Sequence, residues 1–100
     1  MLTIQQIKDT VSDYFKDKPV KKVYLFGSYA RGEAMEESDV DLLVEYDESK
    51  KRLSLFDVIG FKLALEDRFS KPVQLVENAN IYYRFKPYIE KDKVEIYSGW

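Results

Sequence analysis

Val20-Lys21-Lys22-Val23-Tyr24-Leu25-Phe26-Gly27-Ser28, with Tyr29-Ala30-Arg31-Gly32 after it and Asp39-Val40-Asp41-Leu42-Leu43-Val44 ten intervening residues beyond Ser28, decides how this chain is read. Val20 to Phe26 is β-branched and aromatic, with Val23 and Leu25 alternating, and predicts a strand that Gly27 ends. Tyr29-Ala30-Arg31 predicts one short helical turn, with Ser28 as its N-cap and Gly32 closing it in a left-handed conformation. Such a turn leaves backbone N–H groups free for an anion, and glycine lets a bulky phosphate approach closely. Arg31 is placed to add a charge-assisted contact to the same anion.

Val40 to Tyr46 predicts a second strand, apolar on both faces at Leu42-Leu43-Val44. Residues i and i+2 of a strand share a face, so Asp39 and Asp41 stand side by side where buried residues begin. Like charges that close repel, and a divalent cation removes the conflict. Mg²⁺ favours one or two carboxylates completed by phosphates and water. Taken singly, each feature also has a plain reading: a Gly-Ser turn after a strand is common, and two acids at a strand start often face solvent.

Outward from this stretch, Thr3 and Gln6 form a capping box for a helix carrying Ile4, Ile7 and Val11 with Tyr14 or Phe15 at helical spacing. Leu53 to Phe69 predicts a long helix with Leu55, Phe56, Ile59, Leu63 and Phe69 near one packed face. Gly60 interrupts it at a cost of ~1 kcal/mol, so packing must hold it. Pro72 to Glu77 predicts a third strand. Asn80 to Lys91 predicts a helix that Pro87 kinks near its middle, and Val94 to Tyr97 a short last strand. The order α-β-turn-β-α-β-α-β implies an α/β (α+β) domain over residues 1–100: a small mixed β-sheet with helices packed on it.

Composition prunes the chemistry. With no cysteine and no histidine, the chain excludes disulfides, thiolate nucleophiles, Ser-His-Asp triads and imidazole-bound metals. A metal must therefore sit on oxygen, which favours Mg²⁺, Mn²⁺ or Ca²⁺. A formal charge of −2 gives no field to gather nucleic acid, and no direct nucleic-acid binding is expected. No apolar run suits a bilayer and the start lacks a signal-peptide layout, so a cytoplasmic location without membrane contact is expected. Of the eight acids between Glu33 and Glu48, five (Glu33, Glu36, Glu37, Asp47 and Glu48) are read as a solvated loop and strand end.

In combination, Gly27-Ser28-Tyr29-Ala30-Arg31-Gly32 with Ser38-Asp39-Val40-Asp41-Leu42-Leu43-Val44 resembles the DNA polymerase beta-like nucleotidyltransferase superfamily, and specifically its minimal bacterial and archaeal members. That resemblance implies that Gly27 and Ser28 hold the phosphates of ATP or another nucleoside triphosphate, with Arg31 assisting. It implies that Asp39 and Asp41 are the catalytic carboxylates and bind Mg²⁺ or Mn²⁺. It also implies a third carboxylate on the next strand, where this chain has Gln74 in Pro72-Val73-Gln74-Leu75-Val76. Glu77 falls on the opposite strand face and is a poor substitute. Gln cannot take a proton, so two readings stay open: transfer with a weaker or external base, or a nucleotidyltransferase-fold subunit that now serves to bind a partner.

The same resemblance implies an antitoxin paired with a HEPN-domain ribonuclease toxin, with AMP moved from ATP to a toxin tyrosine. A protein partner of that kind, or self-association, is expected to complete so small a site. Ile81, Tyr82, Tyr83, Phe85, Tyr88, Ile89, Tyr97 and Trp100 offer an aromatic docking surface, with Phe85 and Ile89 also readable as core caps.

Overall fold

The computed structural model describes residues 2–47, 49, 52–77 and 86–99. Among the described residues four helices and four strands alternate as α1 (Ile4–Phe15), β1 (Val20–Phe26), α2 (Gly27–Arg31), β2 (Val40–Tyr46), α3 (Leu55–Phe69), β3 (Val73–Glu77), α4 (Lys86–Asp92) and β4 (Val94–Ser98). The strands form one sheet in the order β3-β2-β1-β4. β1 pairs antiparallel with β2 and β4, while β2 and β3 are parallel, so the sheet is mixed. A parallel pair needs a crossover, and α3 supplies it.

α1 starts as its sequence dictates: the Thr3 hydroxyl accepts from the Gln6 N–H and the Gln6 side chain accepts from the Thr3 N–H. α3 starts two residues later than its apolar run suggests. Ser54 is its N-cap and Asp57 closes a second capping box, which the choice of Leu53 as first residue overlooks.

The core lies on one face of the sheet. Ile7, Val11 and Phe15 of α1 and Phe61, Leu65 and Phe69 of α3 cluster with Val23, Leu25, Val40, Leu42, Val44 and Val73. Leu43 is fully buried on the opposite face, as the doubly apolar centre of β2 predicts.

Several expectations are corrected. Leu55, Phe56, Ile59 and Leu63 do not pack in the core; they are 72, 84, 42 and 57 % exposed. α3 is apolar nearly all round, so periodicity alone cannot choose its buried side, and the rings of Phe61 and Phe69 take it. Asp47 is not solvated but 7 % exposed, and its carboxylate accepts from the Ser49 N–H at 3.2 Å. Pro87 is the second residue of α4, and the kink expected of it would fall where α4 meets residues 80–85. Asn80 to Phe85, like Glu48, lie outside the described residues.

Candidate active site

Four elements converge on one end of the sheet. Gly27 ends β1 with φ 75°, a left-handed value that glycine tolerates. A Cβ placed there would overlap the Asp41 carboxylate and lie 3.1 Å from its Cγ. The bare Cα of Gly27 and the Asp41 side chain thus share one volume, and only glycine fits.

α2 follows at once. Its N-cap is Phe26, which makes no side-chain cap, and Ser28 lies inside the first turn and not at the cap as its sequence suggested. The helix starts two residues early because the left-handed Gly27 turns the chain by itself. The first-turn N–H groups accordingly have no helical acceptors. Tyr29 anchors the turn in the core at 4 % exposure. Gly32, at φ 74°, ends it as expected: its N–H donates to the Tyr29 carbonyl and the Glu33 N–H to the Ser28 carbonyl at 2.9 Å.

Asp39 and Asp41 open β2. The hydroxyl of Ser38 accepts from the Met35 N–H at 2.8 Å, making the turn that delivers Asp39. Val40 donates to the Pro72 carbonyl at 3.0 Å and Lys71 to the Glu36 carbonyl, so this loop is tied to the start of β3. Asp41 is half-buried and Asp39 exposed. Burial first, and the neighbouring Asp39 charge second, push the Asp41 carboxyl above its ordinary range, with Arg31 opposing them. A carboxylate pair in that state fits a divalent cation, which would relieve both causes.

Register locates the third position. Asp41 pairs with Phe26 of β1 and with Gln74 of β3, and register partners share a face. Gln74 therefore stands beside Asp41, as the alignment of motifs expects. Glu77 pairs with Val44 and faces the core side. Glu45 is the next acid along β2 on the Asp41 face, about 13 Å away at strand rise. Among the described residues no third Asp or Glu joins the pair.

Arg31 is engaged elsewhere. Its guanidinium pairs with Glu33 at 3.1 Å and with Asp92 of α4 at 3.0 Å. No sequence signal pointed to Asp92, a contact between residues 61 positions apart. Of the aromatic docking set, Tyr88 is 70 % exposed, Ile89 and Tyr97 are half-buried, and Ile81, Tyr82, Tyr83, Phe85 and Trp100 lie outside the described residues.

A mixed sheet whose first strand ends in a glycine turn against a strand opening on paired aspartates is the arrangement of nucleotidyltransferases. The nucleotidyltransferase domain model matches residues 4–97, and the chain belongs to that family. A Methanocaldococcus jannaschii protein provisionally named a protein adenylyltransferase is 35 % identical, over 95 % of this chain and 99 % of its own length. A solved structure provisionally described as a minimal nucleotidyltransferase superposes with a TM-score of 0.75 at 28 % identity, covering 93 % of this chain and 95 % of its own. A chain of the tri-AMPylated Shewanella oneidensis HEPN toxin–MNT antitoxin complex gives 0.70 at 15 % identity, over 96 % of this chain and 73 % of that one; at that identity it speaks for the fold alone. No helix among the described residues is long and apolar enough to cross a membrane.

Proposed function

We propose that this chain is a protein adenylyltransferase that moves AMP from ATP to a tyrosine hydroxyl of a HEPN-type toxin, and so acts as its antitoxin in the cytoplasm. The observation that carries this reading is the Asp39–Asp41 pair set against the glycine turn at Gly27. The relative named for protein adenylylation supports the reaction class, and the complex of AMPylated HEPN toxin with MNT antitoxin supports the acceptor.

In this reading the N–H groups of Gly27 and Ser28 hold the triphosphate. Arg31 reaches it by leaving Glu33, an exposed pair of small worth, or the half-buried Asp92. Asp39 and Asp41 would hold Mg²⁺ or Mn²⁺, which would supply charge stabilisation to the transferring phosphate. The tyrosine oxygen forms a bond to the α-phosphorus as the bond to the bridging oxygen breaks and pyrophosphate leaves. The hydroxyl proton passes to solvent, because Gln74 cannot accept it.

Gln74 beside Asp41 also favours a second reading, in which the domain keeps the fold and neutralises its partner by binding, with weak transfer or none. Incubation with α-labelled ATP, Mg²⁺ and the neighbouring-gene protein separates them, with the Asp39→Ala/Asp41→Ala variant in parallel. Label on the partner that vanishes in the variant supports transfer. A stable complex without label in either sample sinks it.

A further inference from the structure

Among the described residues, the outer face of α3 is left open by the core. Phe56, Leu63 and Ile59 are 84, 57 and 42 % exposed along it, and Gly60 lies among them with nothing within 4 Å of where its Cβ would be. At 100° per residue, Phe56, Ile59, Gly60, Leu63 and Asp67 fall within one stripe. A glycine there weakens the helix by ~1 kcal/mol, and no close approach inside the molecule requires it.

The stripe is self-complementary. Reversed upon a second copy about a point between residues 59 and 60, it sets Ile59 over the partner copy's Gly60 and Phe56 against its Leu63. The same symmetry sets Arg52, two residues before the N-cap Ser54, beside Asp67. Arg52 and Asp67 are exposed, and neither has an ion-pair partner among the described residues. Other charges of α3 are already engaged: Lys62 with Glu66, and Arg68 with Asp13. A two-fold contact must be self-complementary in this way.

We propose that the outer face of α3 is the docking surface for a second copy of this chain, in an antiparallel α3–α3 pair with Ile59 seated in the Gly60 notch. A 15-residue helix is about 22 Å long. The contact is therefore small, at or below the ~1,200 Å² total that marks weak specific interfaces, and the dimer forms and dissociates with concentration. α3 covers the core face of the sheet, while Asp41 and Gln74 are on the other, so pairing leaves the site open. The inference does not rest on the proposed activity, since its readout is mass and not AMP transfer.

Sedimentation equilibrium of the full chain across a concentration series, at low and high salt, tests it. The wild type is expected to shift from one to two chains. Phe56→Glu/Leu63→Glu is expected to stay single, with the circular dichroism of a folded domain. Gly60→Leu is expected to raise the melting temperature of the single chain while weakening association at least about tenfold, a combination that a purely structural glycine does not produce. Arg52→Asp and Asp67→Arg should each weaken the pair, and together restore it, because the double exchange regenerates both ion pairs. A wild type that stays single at every concentration overturns the proposal. So does a dimer indifferent to Phe56→Glu/Leu63→Glu, or a charge exchange without rescue. A single-chain wild type whose HEPN-type partner is lost with the same variants reassigns the face to that partner.

Discussion

Gln74 stands in register with Asp41 on the neighbouring parallel strand, side chains on one face, at the place where the family pattern has a carboxylate. A neutral amide there lets Asp41 stay half-buried with one acidic neighbour in place of two. In the proposed reaction it offers no third carboxylate to take the proton of an acceptor hydroxyl.

Gln74→Asp is therefore expected to raise AMP transfer, by up to about 10²-fold if the new carboxylate acts as general base. The same variant is expected to melt lower without divalent ions, since a third acid joins the pair, and to recover when Mg²⁺ is added. Labelled-ATP turnover and thermal melts with and without Mg²⁺ check both halves. Unchanged turnover in a variant that gains Mg²⁺ stabilisation means that the proton leaves by another route.

Gly27→Ala is expected to damage both stability and site. The left-handed backbone alone costs a non-glycine residue roughly 1–3 kcal/mol. The added methyl also displaces the Asp41 carboxylate. Urea unfolding should show the stability loss. Turnover should fall further than that loss accounts for, because folded molecules have the carboxylate moved. Gly32→Ala provides the comparison: its φ is similar, yet nothing lies within 4 Å of its Cβ, so only the backbone cost is expected.

Glu66 ties the end of α3 to β3 by accepting from the Val73 N–H at 3.0 Å and from Lys62 at 2.9 Å. These bonds, the backbone one foremost, hold its carboxyl below the ordinary range. A lowered folded-state value means the stabilisation is complete above the unfolded pKa of about 4.3 and is lost as pH falls through the folded value. Glu66→Gln should flatten that part of the acid limb in urea titrations against pH. An acid limb identical to the wild type's would remove Glu66 from the account.

Much of this was legible in the sequence, for physical reasons that vary by element. The Thr3–Gln6 box, β1, β2 and the left-handed Gly32 follow from local chemistry that tertiary context had no reason to override. The place of Gln74 came from the family resemblance alone, and the parallel register of β2 with β3 sets it beside Asp41. The buried side of α3 was not legible: Leu55, Phe56, Val58, Ile59, Phe61, Leu63 and Leu65 ring the helix, and the choice of Phe61 and Leu65 depends on what β2 and α1 present. The Arg31–Asp92 pair escaped as well, since no short-range pattern announces a contact between α2 and α4.

Tyr29 gives a further test of how α2 is held. Its ring is buried in the core cluster, and its hydroxyl is enclosed without a hydrogen-bond partner among the described residues. Enclosing a hydroxyl without compensation costs about 1–3 kcal/mol on mutational scales. Tyr29→Phe removes that cost and keeps the ring that anchors the turn carrying Gly27 and Ser28. The variant should therefore be more stable by up to about 1 kcal/mol, the small space left by the oxygen offsetting part of the gain. For a domain of 60–100 residues this is a rise of about 4–8 °C in melting temperature. Tyr29→Ala, by contrast, leaves a cavity and should cost 3 kcal/mol or more, on the order of other aromatic truncations. The two variants measured together divide the ring's contribution from the hydroxyl's. A destabilised Tyr29→Phe would show that the hydroxyl has a stabilising role in solution, and α2 would then be held by a polar contact as well as by packing.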